Sequence, residues 1–208
     1  MPLILHSTRR CPFCIRVRIL LHLKGLTYET VEEPIRKWTP WLKKWSVRTG
    51  ERLRVPVLRV VDDKGIEIIY TESNLINLML DETYGEVTYT PGKETGEYKE
   101  MLEWFTWCDE ILKPQIDLYK YGKNLQFDKV AHMGHTAKLR EIMGTLETAL
   151  VGKHYLIGGK LTVADIAIIP FIRQIMRTRE GEFDFGDFPN IKRWTLSLFE
   201  TEWFCEVG

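Results

Sequence analysis

The stretch HSTRRCPFCIRVRILLHLKG, which runs from His6 to Gly25, places two cysteines between a predicted strand and a predicted helix. Leu3–Ser7 is a short apolar run that ends in turn-forming residues and is typical of a buried strand. Between Pro12 and Lys24 the apolar residues predict a well-buried helix, and Gly25 suits its C-terminal end. The thiol pair at this junction either binds a metal, is inert, or takes part in thiol chemistry.

Strands and helices alternate through residues 1–84. A second strand is predicted at Thr27–Val31, and a helix at Pro40–Val47 with the proline in its first turn. The segments VPVLRVV and IEIIY flank the turn sequence DDKG, as expected for an antiparallel hairpin, and a helix is predicted from Thr71 to Leu80. The order β-α-β-α-β-β-α predicts an α/β domain.

The sequence changes character after this domain. Residues 85–97 are rich in Gly, Thr and Glu and are predicted to be a linker, and no convincing strand follows in residues 98–208. Helices are predicted at Tyr98–Tyr121 with an interruption near Pro114, and at Lys129–Val151, Val163–Arg177 and Asn190–Phe204. The predicted architecture is therefore an α/β domain followed by an all-helical domain.

Composition limits the classes of partner. The 208 residues include 29 basic and 29 acidic side chains, so a formal charge of zero gives no indication of nucleic acid or an anionic membrane as partner. No apolar run is long enough to span a bilayer, and the N-terminal sequence lacks the features of a secretion signal. Four cysteines, two of them isolated, do not form a disulfide framework, which favours a reducing, cytoplasmic setting.

The two close cysteines have the spacing of a redox pair. With Cys11 at the N-cap and Pro12 at the first helical position, unpaired N–H groups and the positive end of the helix favour the Cys11 thiolate. Arg9 and Arg10 add positive charge nearby. Cys14 lies one turn further on, close enough to form a disulfide with Cys11 and better shielded from solvent. This is the arrangement that a dithiol oxidoreductase needs.

Two alternatives to redox chemistry remain. A four-cysteine zinc site needs a second pair, but Cys108 and Cys205 stand alone in the sequence, so no metal is expected. The pair could also be inert and buried, although a CxxC motif directly after a strand and at the start of a helix is a fairly specific context for reactivity.

Two further motifs suit a peptide-like ligand. A cis Val55–Pro56 bond would present the Val55 backbone N–H and C=O as an antiparallel rung, whereas an ordinary edge-strand proline is the alternative. At a helix start, the N–H groups and the Ser73 hydroxyl could hold a carboxylate, while Glu72 pairs with an ammonium. A simple N-cap role for Thr71 is compatible with this. Together with a thiolate, these groups describe a glutathione site.

These motifs resemble those of the glutathione transferase superfamily. CPFC, VPVL and TES match, in order, the family's thiol, cis-proline and γ-glutamyl positions, and RCPFCIRVRILLHLKGLTYE is similar to omega-class transferases, two-domain bacterial glutaredoxin and chloride intracellular channel proteins. GGKLTVADIAIIPFI resembles the family's buried capping motif, with Thr162 as N-cap and Asp165 at N3. The resemblance implies a thioredoxin-like N-terminal domain and an all-α C-terminal domain, the glutathione transferase fold.

The resemblance also implies a glutathione cofactor and a set of ligand residues. These are Phe13, Lys44, Val55, Pro56, Glu72 and Ser73, with Cys11 and Cys14 as the catalytic pair. Lys44 is chosen for the glycyl carboxylate over the competing Lys43, Arg52 and Arg54. Some transferases of this family activate glutathione with a hydroxyl near the end of the first strand, and Ser7 and Thr8 lie there. The omega pattern keeps only the first cysteine, whereas this chain keeps both, as dithiol glutaredoxins do.

The function expected from these features is that of a glutathione-dependent thiol–disulfide oxidoreductase. Its expected substrates are small-molecule or protein disulfides and mixed disulfides, and Cys14 or a second glutathione would resolve the intermediate on Cys11. One alternative is a transferase that conjugates glutathione to electrophiles or removes it from conjugates. Another is a non-enzymatic interaction or membrane-inserting module. A homodimer is possible in each case.

Overall fold

Four strands form one mixed sheet within the residues that the computed structural model describes, which are 2–34, 37–121, 129–178 and 183–207. In chain order the elements are β1 (Leu3–Ser7), α1 (Pro12–Leu23), β2 (Glu29–Glu32), α2 (Pro40–Thr49), β3 (Val57–Val61), β4 (Glu67–Thr71) and α3 (Ser73–Thr83). The strand order is β2-β1-β3-β4; β1 and β2 are parallel, and the other two neighbouring pairs are antiparallel. The predicted β-α-β-α-β-β-α order is confirmed.

The strands after β1 begin one or two residues later than predicted, since β3 begins at Val57 instead of Val55 and β4 at Glu67 instead of Ile66. The second strand begins at Glu29 instead of Thr27, because its pairing with β1 starts where Glu29 lies opposite Ile4. The alternation of Thr27–Val31 predicts the strand but not its register, since the register depends on the partner strand.

The helix that follows the thiol loop is the most buried element of this unit. In α1 the residues on every side are buried, including Ile15, Val17, Leu20 and the charged Arg16. A helix that is apolar almost all round belongs inside a domain, and α3 packs against it. The β1–α1 loop and the start of α3 are thereby held on a rigid support.

The chain divides into two compact units, of which the first runs to Thr88 and takes in Val207, and the second is Tyr89–Glu206. The described part of the second unit is helical. Its elements are α4 (Gly96–Thr106), a π-helical segment (Trp107–Leu112), α5 (Lys113–Tyr121), α6 (Lys129–Ala149), α7 (Val163–Arg177), α8 (Pro189–Phe199) and α9 (Glu202–Val207). No helix in the described ranges is long and apolar enough to cross a membrane.

Two predicted helices are interrupted in the structure. The predicted break near Pro114 is a π-helical segment directly before it, because Pro114 has no N–H to bond to the Glu110 carbonyl. The predicted helix Asn190–Phe204 is wrong as a single element. Both the N–H and the hydroxyl of Thr201 donate to the Leu198 carbonyl, which ends α8, and α9 starts afresh.

The predicted capping box at the start of α7 is confirmed. The fully buried Asp165 carboxylate accepts hydrogen bonds from the backbone N–H of Thr162 (3.0 Å) and of Leu156 (2.9 Å). It also accepts one from the Trp194 indole at 3.0 Å. This side chain therefore fixes the start of α7, the preceding loop and α8 at once, which supports its assignment to folding.

Candidate functional site

The thiol pair lies where β1 ends and α1 begins. Cys11 is the N-cap of α1 with extended backbone angles (φ −75°, ψ 120°), and Pro12 follows in the first turn, as predicted. The Cys11 N–H donates to the Thr8 carbonyl at 3.0 Å, which closes the loop. Cys11 is partly exposed, Cys14 is fully buried, and both are free thiols. One thiol is thus accessible to a substrate and the other is shielded.

The surroundings of the two thiols separate their acidities. A hydrogen bond from the Cys14 side chain is the largest influence on Cys11, and the backbone N–H groups of Phe13 and Cys14 and the Arg18 charge act in the same direction. Against the opposing effect of burial, they lower the pKa of Cys11 to about 6. Burial, followed by the hydrogen bond and charge of Cys11, raises the pKa of Cys14 well above its ordinary value. At neutral pH, Cys11 is a thiolate and Cys14 is its protonated donor.

The cation beside the thiols is Arg18, which sequence analysis missed. Arg9 and Arg10, which were expected to supply the charge, are exposed. The buried Arg18 guanidinium instead donates from Nη1 to Ser7 Oγ at 2.8 Å and from Nη2 to the Arg9 carbonyl at 2.7 Å. Its position four residues after Cys14, and so on the same face of α1, is the signal that could have identified it.

The segment before β3 offers unpaired backbone groups. The predicted cis Val55–Pro56 peptide bond is confirmed. Pro56 is buried and Val55 is partly exposed, and among the described residues neither the N–H nor the C=O of Val55 has a hydrogen-bond partner. An extended peptide could therefore pair with Val55 as a short antiparallel rung.

Glu72 occupies the junction between β4 and α3 in an unusual backbone conformation. It is the N-cap of α3 at φ +65°, the one non-glycine residue with positive φ in the described ranges. Thr71, the alternative N-cap, is instead the last residue of β4. The half-exposed Glu72 carboxylate pairs with Arg54, which also lies 3.0 Å from Glu51. Strained backbone of this kind is concentrated at functional sites.

Ser73 is linked to a second buried arginine. Its hydroxyl accepts a hydrogen bond from Arg16 Nη1 at 3.1 Å, and both residues are buried. The Arg16 guanidinium also lies 5.1 Å from the centre of the Phe13 ring. The structure thereby connects Phe13, directly after the proline of the thiol motif, with Ser73 at the start of α3. The charge of Arg16 within the apolar run of α1 was the signal for this link.

Lys44 stands apart from these contacts. It is exposed on α2 and makes none of the polar contacts described above, so its role toward a glycyl carboxylate stays a prediction. Arg54, one of its competitors in the sequence, is the cation that meets Glu72. In the described parts of the chain no group of three or more His, Cys, Asp and Glu residues is arranged to hold a metal ion.

Comparison with known proteins identifies the family. Two family models match the chain: glutathione S-transferase, N-terminal domain, over residues 10–83, and glutathione S-transferase, C-terminal domain, over residues 111–202. The chain belongs to the glutathione S-transferase family. Its fold, an α/β unit with a mixed sheet followed by a helical unit, is that of the family.

Individual relatives agree with this assignment. The probable glutathione S-transferase parA of Nicotiana tabacum is 30% identical over 193 residues, which are 91% of this chain and 81% of the tobacco protein. The glutathione transferase URE2P6 from Phanerochaete chrysosporium, solved with oxidized glutathione, is 25% identical with a TM-score of 0.82, covering 99% of this chain and 94% of that chain. A glutathione transferase homolog from Lodderomyces elongisporus, crystallised with two GSH per subunit, shares the fold at 21% identity, with a TM-score of 0.81 and coverage of 99% and 97%.

Proposed function

We propose that this protein is a glutathione-dependent thiol–disulfide oxidoreductase in which Cys11 is the nucleophile. The observation that carries the proposal is the pairing of an accessible Cys11, whose pKa is about 6, with a buried and protonated Cys14. A thiolate formed at neutral pH attacks disulfide sulfur and is also a good leaving group, so both halves of an exchange reaction proceed.

In the first step the Cys11 thiolate attacks one sulfur of a disulfide substrate. A bond forms between Cys11 Sγ and that sulfur, the substrate disulfide breaks, and the other half leaves as a thiolate that takes up a proton from solvent. In the second step either Cys14 or a glutathione thiolate attacks the Cys11 sulfur and releases the bound half. The second step leaves Cys11 in a disulfide with Cys14 or with glutathione. Further attack by glutathione thiolate breaks that disulfide and restores the Cys11 thiolate, so that in all two molecules of glutathione supply the two electrons and end as glutathione disulfide.

The residues around the thiols fit glutathione as co-substrate. The unpaired Val55 backbone would pair with the cysteinyl peptide unit, with Pro56 and Phe13 beside it. The Glu72 carboxylate would receive the γ-glutamyl ammonium, and the start of α3 with Ser73 would receive its carboxylate. Glu72 pairs with Arg54 in the structure, so the ammonium would share this carboxylate with the arginine. Lys44 remains the proposed partner of the glycyl carboxylate.

A second candidate function is conjugation of glutathione to electrophiles, or its removal from conjugates. The naming of the relatives as glutathione S-transferases favours it. Conjugation needs the thiolate on glutathione itself, stabilised by a neutral hydroxyl donor. In this chain Cys11 would face that position, as the resemblance to omega-type proteins implies, and it would form a mixed disulfide with glutathione. We therefore rank conjugation below disulfide exchange.

The proposed thiol chemistry suits a reducing cellular setting. A reducing cytoplasm would supply glutathione and keep Cys11 and Cys14 reduced, and small-molecule or protein disulfides would be the substrates.

A homodimer is also proposed. A cavity of about 340 Å³ along α4 and the π-helical segment is lined by Trp107 and the exposed Leu102 and Ile111, an apolar surface that a second copy would cover.

A parallel assay separates the two enzymatic functions. Reduction of a β-hydroxyethyl disulfide mixture by glutathione is expected to be clear, and conjugation of a chloronitrobenzene acceptor weak or absent. Cys11→Ser should abolish the reduction, while Cys14→Ser should keep the monothiol route with glutathione. Strong conjugation that survives in Cys11→Ser would reverse the ranking. Absence of both activities and of glutathione binding would favour a non-enzymatic module.

A further inference from the structure

A hydrogen bond from Arg18 reaches Ser7, whose hydroxyl acts on the buried Cys14 thiol. A guanidinium has only donors, so the Ser7 oxygen must accept the 2.8 Å bond from Arg18 Nη1. The Ser7 hydrogen is then left to donate elsewhere, and the buried Cys14 thiol, whose pKa the Ser7 hydroxyl acts to lower, is the group that we infer receives it. Ser7 and Cys14 are both fully buried. The arginine therefore fixes the direction in which the serine hydroxyl points.

The Cys14 sulfur receives a second donor from the same loop. The Thr8 N–H lies 3.4 Å from Cys14 Sγ. Both donors act on the buried sulfur, while the first step of the proposed reaction takes place at the other sulfur, that of Cys11. Donors aimed at a sulfur stabilise it as a thiolate, which Cys14 must become in order to attack.

We propose that Ser7 is a catalytic residue of the resolving step, in which its hydroxyl donates to the Cys14 sulfur as Cys14 attacks the mixed disulfide on Cys11. Arg18 is the positioning residue that orients the hydroxyl. This inference rests on the proposed oxidoreductase function and deepens it. It gives the Ser7 hydroxyl, at the end of β1, a role toward Cys14, the second thiol of the motif.

The arrangement activates Cys14 only when a mixed disulfide is present. In the free protein the Cys11 thiolate contributes to raising the pKa of Cys14, after burial. Once Cys11 is bonded to a glutathione sulfur, its negative charge is gone and it no longer holds the Cys14 proton. The donors from Ser7 and Thr8 remain, so loss of the proton becomes easier at this stage.

The step balances without a further reactant. Cys14 gives up its proton to solvent and attacks Cys11 Sγ, so that a Cys11–Cys14 disulfide forms and the bond from Cys11 to glutathione breaks. Glutathione leaves as a thiolate and takes up a proton from solvent. Starting from glutathione disulfide, the protein dithiol is oxidised and two molecules of glutathione are produced.

The test follows both steps in one experiment. Reduced protein, in a background of Cys205→Ser to remove the exposed thiol, is mixed with glutathione disulfide, quenched with acid at intervals and analysed by intact mass. In Ser7→Ala, mixed disulfide should form at the wild-type rate but resolve about tenfold more slowly, since a donor to a charged group is lost. Ser7→Thr, which keeps a hydroxyl, should resolve faster than Ser7→Ala.

A matched control separates this effect from general damage. Ser197→Ala removes the hydroxyl of an exposed residue in α8, which donates to the Trp194 carbonyl at 2.8 Å, and should leave both rates unchanged. Equal resolution in Ser7→Ala and wild type would overturn the inference, and so would slowing of both steps with a lower melting temperature. If wild type forms no mixed disulfide at Cys11, the proposed function itself fails, which is a distinct result.

Discussion

Replacing Cys14 by alanine should raise the pKa of Cys11. The Cys14 side chain provides the largest of the effects that bring the Cys11 pKa from 9.0 to about 6. A hydrogen bond to a charged group contributes about 1.5–3 kcal/mol, and one pKa unit corresponds to about 1.4 kcal/mol, so the pKa should rise by about one to two units. Cys14→Ser keeps a donor, and its shift should be smaller.

The lowered pKa of Cys11 increases its rate of attack on a disulfide less than it increases its ionised fraction. At pH 7 a thiol of pKa 6 is about 90% ionised and one of pKa 9 about 1%, a difference of about ninetyfold. Nucleophilicity falls with pKa at a Brønsted slope of about 0.4–0.5, which over this range removes about 15- to 30-fold. The net gain for the wild-type thiolate at pH 7 is therefore about three- to sixfold. The greater benefit comes when Cys11 is the leaving group.

The rate at which iodoacetamide alkylates Cys11, measured as a function of pH, gives the pKa of Cys11 directly. The peptide that contains Cys11 is quantified by mass spectrometry, so that the exposed Cys205 does not contribute. Wild type should titrate near pH 6, Cys14→Ser slightly higher and Cys14→Ala highest. A wild-type midpoint near 9, or identical midpoints in all three proteins, would refute the hydrogen-bond explanation.

Three further outcomes are expected. Glu72→Ala should raise the KM for glutathione about tenfold with little change in melting temperature. Glu51→Ala, which removes the other carboxylate beside Arg54, should leave KM unchanged. Equal KM values in both variants would count against the ligand role of Glu72. Asp165→Ala should lower the free energy of unfolding by about 3 kcal/mol or more in denaturant titrations, because four buried donors lose their acceptor. Because the pKa of Cys11 is lower in the folded than in the unfolded protein, the reduced protein should gain stability over Cys11→Ser as pH rises from about 6 to 9. It should lose that advantage as pH falls through 6. A difference in melting temperature between the two proteins that does not vary with pH would contradict this.

Local patterns predicted the elements and the placement of the thiols at a helix start. The CPFC motif places Cys11 at an N-cap because proline is suited to the first helical position, and the capping box at Thr162 and Asp165 spans only four residues. Both features depend on neighbouring residues alone, so no tertiary contact was needed to recognise them. The same holds for the order of strands and helices, which follows from hydrophobic periodicity and turn residues.

The identity of the charged partners required the folded structure. Arg54 and Glu72 meet only because the β3–β4 hairpin brings together residues that are distant in sequence. The register of β2 likewise depends on β1, and Ser7 comes under Arg18 because β1 and α1 pack together. The periodicity of apolar residues in a sequence indicates which residues are buried. The hydrogen-bond partners of buried polar groups depend instead on the distances between elements, which the sequence does not give. For that reason the sequence predicted the position of the two thiols, and the three-dimensional structure was needed to show which charged and polar groups lie beside them.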